Sequence, residues 1–228
     1  MNDILVQCTY FGAFLSIAAY MIGEALKKKC KVCNPLLIAI ILVILILKIF
    51  HIDYETYNDG AKYISYLLTP ATVCLAIPLY RQINILKTHF KEIIIGICTG
   101  VFASMGGVFV LSYLFALSHE HYVTLLPKSI TTAIGIGLSN EMGGVETITI
   151  AVIIVTGVLG NLIAEPVLKL FRIKNPVAKG LAIGTASHAI GTTKAMEMGE
   201  IEGAMSSLSI AVAGLITVAA ASIFANLM

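Results

Sequence analysis

Two stretches of this 228-residue chain concentrate groups able to hold a small anion. The first, "LLPKSITTAIGIGLSNEMGG", carries Ser129, Thr131, Thr132, Gly135 and Asn140. The second, "GTASHAIGTTKAMEMGE", carries Gly184, Thr185, Ser187, His188, Gly191, Thr192 and Thr193. Hydroxyls and backbone amides are neutral donors, suited to binding a carboxylate without holding it so tightly that it cannot leave. Where a helix breaks, its free N–H groups converge with the positive end of the helix dipole. These twelve residues are the expected substrate-binding set. The competing reading is that small residues merely let helices pack closely in a membrane; the recurrence of two such clusters favours function.

Ionisable groups add a second layer. His188 is the one histidine of five inside an apolar segment, the others being His51, His89, His119 and His121. It is a candidate to orient a carboxylate or carry a coupled proton, against the alternative of a neutral histidine bonded to backbone. Lys194 is a candidate cation for the anion or a side chain that snorkels to the interface. Glu141, which shares the coupling role, is expected near a hairpin end. Gly157, Asn161, Glu165 and Lys169 step by four along one helix face, and Glu165 before Lys169 is the favourable order for an ion pair. Asn161, Glu165 and Lys169 are therefore expected to form a structural polar face.

These residues need a membrane scaffold to hold them. The chain is 58% hydrophobic and 12% charged, with a mean hydropathy of +0.92, where a soluble domain has about 25% charged residues. Apolar runs near the ~20 residues needed to cross hydrocarbon recur without strand-like alternation. The expectation is an all-α integral membrane protein with six spans near residues 4–26, 35–51, 63–80, 93–117, 146–171 and 203–227. Pro70 and Pro78 are expected to break or kink the third. Basic "KKKCK" and "RQINILKTHFK" alternate with acidic "HIDYETYND" and "SHEHY", which predicts the N-terminus outside and the loops near 29 and 86 in the cytoplasm.

A shift of 56 positions lays "AIGIGLSNEMGGVE" (133–146) on "AIGTTKAMEMGEIE" (189–202), with seven identities in fourteen. If residues 121–145 enter and leave on one side, Arg172, Lys174 and Lys179 fall in the cytoplasm and the charge rule holds. Each copy is then a re-entrant or broken polar hairpin followed by one span, so the two copies have opposite orientation. That is the plan of inverted-repeat, elevator-like transporters. The expected organisation is four scaffold-like spans over 1–120 and a repeat core over 121–228, divided into 121–171 and 175–228. Cys30 and Cys33 form a lone CxxC without two further ligands, so no metal and no cofactor are expected. Ser187 beside His188 makes a poor nucleophile and base pair; an enzyme is not expected.

"NPLLIAI", "TPATVCLAIPLYRQ", "LLPKSITTAIGIGLSNEMGG" and "NPVAKGLAIGTASHAIGTTKAMEMGEIEGAMSSL" resemble the signature stretches of the LrgB/CidB family, which includes the C-terminal half of the plastid glycolate/glycerate translocator. The resemblance covers essentially the whole chain. It implies a multi-pass protein of a bacterial plasma membrane, working with a smaller LrgA/CidA-type membrane partner. It also implies either of two activities: holin/antiholin-like regulation of murein hydrolase and cell lysis, or uptake of pyruvate. The leading expectation is a carrier of small monocarboxylates such as pyruvate, glycolate or lactate, assembled as a homo-oligomer in the lipid bilayer, with no nucleic-acid role. The alternative is a holin/antiholin-like pore or regulator. A pore needs a continuous wet stripe, and here the polar residues sit in two patches.

Overall fold

The computed structural model describes residues 9–29, 35–67, 70, 73, 74 and 76–228. Among them are helices and turns and no strand, and the chain divides into two compact units, Met1–Cys74 and Leu75–Met228.

The first unit holds α1 (Phe11–Lys29), α2 (Pro35–Ile49) and α3 (Tyr54–Ser65). α1 ends on Lys27, Lys28 and Lys29, where positive charge meets the negative end of the dipole. These lysines are helical instead of belonging to a loop; residues 1–8, in which the expected span 4–26 begins, Cys30 and Cys33 lie outside the described residues. α1 and α3 touch where neither has a side chain, since a Cβ on Gly12 would fall on the Tyr57 carbonyl. Ser16 Oγ donates to the Gly12 carbonyl at 2.7 Å, so the Tyr57 hydroxyl donates to Ser16 at 2.8 Å.

The third expected span, 63–80, is not one helix. α3 stops at Ser65, Tyr66 and Leu67 turn, and a new helix, α4, covers Ala76–Arg81. Pro70 has no amide for the bond to residue 66, and its ring crowds that carbonyl. α3 itself, "YETYNDGAKYIS", is too polar to enter hydrocarbon.

The second unit continues with α5 (Ile83–Thr88), α6 (Phe90–Leu114), α7 (His119–Leu125), α8 (Thr132–Glu141), α9 (Glu146–Leu170), α10 (Pro176–Met198) and α11 (Glu200–Ala225). Among the described residues α6, α9 and α11 are long and apolar enough to cross a membrane. At 1.5 Å per residue each is about 37–39 Å long, more than the ~30 Å hydrocarbon core. α6 buries one stripe, Ile93, Ile97, Val101, Met105 and Val108, against Tyr122, Leu126, Ile130 and the alanines of α11.

Between α6 and α9 the chain folds back on itself. Thr124, in α7, lies beside the start of α9: its hydroxyl accepts the Val145 amide at 2.8 Å and its carbonyl accepts the Thr149 hydroxyl at 3.1 Å. Pro127 reaches Gly135, whose Cα faces the Ile153 side chain. α8 then returns antiparallel to α9, Ser139 meeting Thr149 hydroxyl to hydroxyl at 2.7 Å. Ten residues of α8 span about 15 Å, half the hydrocarbon thickness.

α10 folds back too. It starts on Pro176, with Asn175 Oδ1 accepting the amides of Val177 and Ala178 at 2.8 and 3.2 Å, a side-chain N-cap. On the way in, Gly180 packs on Glu202 and Met205, and Gly184 on Ser206 and Ser209. At His188 the backbone leaves helical geometry (φ 41°, ψ −142°). On the way back Thr192 meets Ser206 and Met196 meets Gly203. Residues 176–187 and 189–198 are therefore two antiparallel arms. The first fold-back lies on the beginning of α9 and the second on its latter part, through Gly157, Gly160 and Asn161, and both turn near Ile153.

Close packing at glycine makes a test. Gly184→Val places a side chain on the Ser206 backbone and is expected to destabilise by about 2 kcal/mol. Gly106→Ala, with open space around it, is expected to be neutral. Thermal unfolding in detergent checks the pair; equal midpoints would contradict this packing.

Candidate functional site

The two turns meet near Ile153, about a third of the way along α9, and their chemistry differs. At the second turn His188 is buried and has positive φ, a conformation that costs a non-glycine residue of order 1–3 kcal/mol and persists only when surroundings enforce it. The enforcing bonds are visible. His188 Nε2 lies 2.9 Å from the Ile153 carbonyl; a carbonyl only accepts, so this nitrogen carries the proton. Gly157 makes room for the ring, because a Cβ there would come within 2.7 Å of Cε1. The His188 carbonyl accepts the Thr192 hydroxyl at 2.9 Å, and Ser206 in turn donates to Thr192 at 2.7 Å. Asn161 Nδ2 donates to the Ile190 carbonyl at 3.0 Å. The break is thus pinned to α9 on one side and to α11 on the other.

At the first turn Ser129 is buried with Ser104 of α6 at 3.0 Å, hydroxyl to hydroxyl, and Lys128 Nζ donates to Ser129 Oγ at 3.0 Å. Beside them a cavity of about 580 Å³ opens, lined by Gly96, Gly100 and Ser104 of α6, Lys128 and Ser129 of the first turn, and Thr185 of the second fold-back. Thr185 also lines a small void with Ser129, Ala213 and Thr217.

The sequence-derived residues separate into three places. Ser129 and Thr185 line the cavity, and Thr131 and Thr132 open α8 behind the first turn, Thr131 as an extended N-cap without a side-chain bond. Gly135, Gly184, Ser187, His188, Gly191 and Thr192 make packing contacts: Gly135 on Ile153, Gly184 on Ser206, Ser187 on Gly160 and Gly191. Asn140, Glu141, Thr193 and Lys194 stand away from the turns. Asn140 bonds Glu146 at 3.2 Å and Glu141 is exposed; eight residues of helix put Asn140 about 12 Å from Thr132. Thr193 is exposed and accepts from Asn161 at 2.9 Å. Lys194 pairs with Glu165 at 3.5 Å and Glu197 at 3.3 Å, and Lys169 with Glu165 at 2.8 Å. On α9, Asn161 and Glu165 bond the second fold-back, and Lys169 pairs with Glu165 beside them.

A second cavity, about 600 Å³, lies at the base of that fold-back among Glu165, Lys169, Arg172, Lys174, Lys179 and Lys194. Among the described residues no three His, Cys, Asp or Glu side chains assemble as metal ligands. Ser187 faces Gly160, and the His188 Nε2 proton is committed to the Ile153 carbonyl.

Sequence reading passed over Lys128 and the α6 wall. The signal was present: Gly96, Gly100 and Ser104 step by four along "GICTGVFASMGG", and Lys128 is the sole cation between His121 and Lys169.

With this geometry in hand, the sequence model of the LrgB-like family matches residues 16–227. Proteins described as antiholin-like protein LrgB from Bacillus cereus (strain B4264) and Bacillus anthracis (strain A0248) are each 40% identical over 218 residues, covering 94% of this chain and 95% of theirs. No solved structure matches.

The positive φ at residue 188 is separable from its imidazole. His188→Ala and His188→Gly both lose the bond to Ile153, but only glycine relieves the backbone, so the glycine variant is expected to be about 1 kcal/mol the more stable. Thermal midpoints of the purified variants decide it; alanine equal to or above glycine would refute a strained break.

Proposed function

This chain belongs to the LrgB-like family, and from that premise we propose that it works as an antiholin-like component of a bacterial membrane. The observation that carries the reading is the 40% identity to antiholin-like proteins across 94% of the chain. Family and long apolar helices make it a bacterial multi-pass membrane protein.

In this reading the protein assembles with itself and with a smaller LrgA/CidA-type membrane protein, and it opposes or tunes a pore that governs murein hydrolase activity. α6, α9 and α11 cross the bilayer, while the two fold-backs enter it from opposite sides as an inverted repeat. Arg172, Lys174 and Lys179 then face the cytoplasm and the N-terminus lies outside, as the loop charges favour.

A second reading, a carrier of small monocarboxylates of the pyruvate, glycolate or lactate type, is favoured by one observation. Polar side chains gather around the two turns, beside a cavity lined in part by Lys128, whereas a pore calls for a water-lined stripe along whole helices. Opposed broken segments meeting at mid-membrane are a recurring plan among secondary transporters. The elevator-like motion, with a static scaffold in 1–120 and a moving core in 121–228, belongs to this reading.

Three outcomes separate the possibilities. Cells expressing the protein are expected to lose turbidity under detergent challenge more slowly than a deletion strain; equal rates count against the antiholin reading. Liposomes containing the protein and its partner should show saturable uptake of labelled pyruvate or lactate without dye leakage if it is a carrier, and step currents if it forms a pore. For topology, in a cysteine-free background, an impermeant maleimide is expected to label Glu120→Cys on intact cells and Lys174→Cys only after permeabilisation.

A further inference from the structure

We propose that the cavity between α6 and the two fold-backs is a binding site for one small, singly charged oxyanion, with Lys128 as its charge partner and, as its hydroxyl donors, Thr185 and one member of the Ser104–Ser129 pair. Lys128 sits at the first turn, half-buried, and takes part in none of the ion pairs among the described residues. Its ammonium has three protons, and the hydrogen bond seen among the described residues uses one, on Ser129. A cation at that depth is costly without a counter-charge.

The hydroxyls point the same way. Ser104 and Ser129 share one hydrogen between their oxygens, which leaves the other hydroxyl hydrogen for a third group. Thr185 is 6% exposed and its hydroxyl has no hydrogen-bond partner among the described residues. Its neighbours behave otherwise: Thr192, Ser207 and Ser209 all donate to the carbonyl four residues back. The Thr185 side chain lines the cavity beside Lys128, and its covered hydroxyl, which forgoes this bond, is left to serve a ligand that a small side-chain rotation would bring within reach.

The ligand's charge and shape follow from the walls. One ammonium balances one negative charge; a dianion would leave an uncompensated charge in a poorly hydrated site. Ala178, Leu181, Ala182 and Ala186 form the facing wall, which suits a short hydrocarbon tail. The chemistry is that of a small organic acid. The assignment rests on the carrier reading for the kind of anion, while binding itself is measured without transport.

The test uses the whole purified protein in detergent, with calorimetry against lactate, its neutral isostere lactamide, and inorganic phosphate at pH 8. Lactate is expected to bind and lactamide not. Lys128→Gln is expected to weaken lactate at least about tenfold, Lys128→Arg to restore part of it, and Thr185→Val, which keeps the shape, to weaken it about threefold. Thr185→Val is also expected to retain its unliganded thermal midpoint, so it remains informative if Lys128→Gln fails to fold. Equal binding of lactate and lactamide, unchanged affinity in folded Lys128→Gln or in Thr185→Val, no binding of lactate at millimolar concentration, or tighter binding of phosphate than lactate each overturns the proposal. Lactate binding that depends on Lys128, without uptake in liposomes, supports the site and rejects the carrier.

Discussion

A peptide group left unpaired in hydrocarbon costs several kcal/mol, so a membrane chain can interrupt a helix only where protein or water covers the break. Two interruptions, at Leu126–Thr131 and at His188, set the terms for the rest of the second unit. At the first, backbone answers backbone: the Leu125 carbonyl accepts the Lys128 amide at 3.1 Å and the Pro127 carbonyl the Ile130 amide at 3.2 Å, while Thr124 just before it takes the Val145 amide. At the second, side chains are aimed at backbone: His188 reaches the Ile153 carbonyl, and Thr192 covers the carbonyl of His188. The abundance of Ser, Thr, Gly and Ala in α10 and α11 follows from the same constraint. Small residues allow backbones to approach, and hydroxyls can satisfy carbonyls that a broken helix leaves exposed.

What could be read from the sequence was what depends on local pattern. The apolar runs of α6, α9 and α11 announce themselves because length and composition suffice. The Glu165–Lys169 pair was legible because helical spacing fixes it. The break in the third span was legible too: Pro70 marks it, because proline acts on backbone geometry whatever the hydropathy around it. Among site residues, the polar clusters were visible but their division was not. Asn140 and Ser129 are close in sequence, yet a ten-residue helix carries one to the base of the fold-back and leaves the other at its turn. Ser104 was invisible because its partner, Ser129, is reached through tertiary packing, about which a one-dimensional periodicity is silent.

Charge is distributed in two registers. At the base of the second fold-back Lys169, Lys194, Glu165 and Glu197 neutralise one another in half-exposed pairs, worth little individually because water screens them. Their use is positional, holding the end of the fold-back against α9 at the interface. Lys128 is of another kind, placed near the level of Ile153, where screening is weak and a single charge dominates its surroundings. The same residue type therefore serves as an anchor in one place and as a chemical group in the other.

The bond from His188 to Ile153 joins the second fold-back to α9, and Thr192 with Ser206 joins it to α11. Across the other side, among the described residues, no hydrogen bond links α6 to this fold-back; they meet at Gly100 and Thr185 by van der Waals contact. Contact of this kind has no direction, so along this wall it is shape alone, a glycine against a threonine, that keeps the fold-back in register with α6, whose apolar stripe is held by the core it shares with α11.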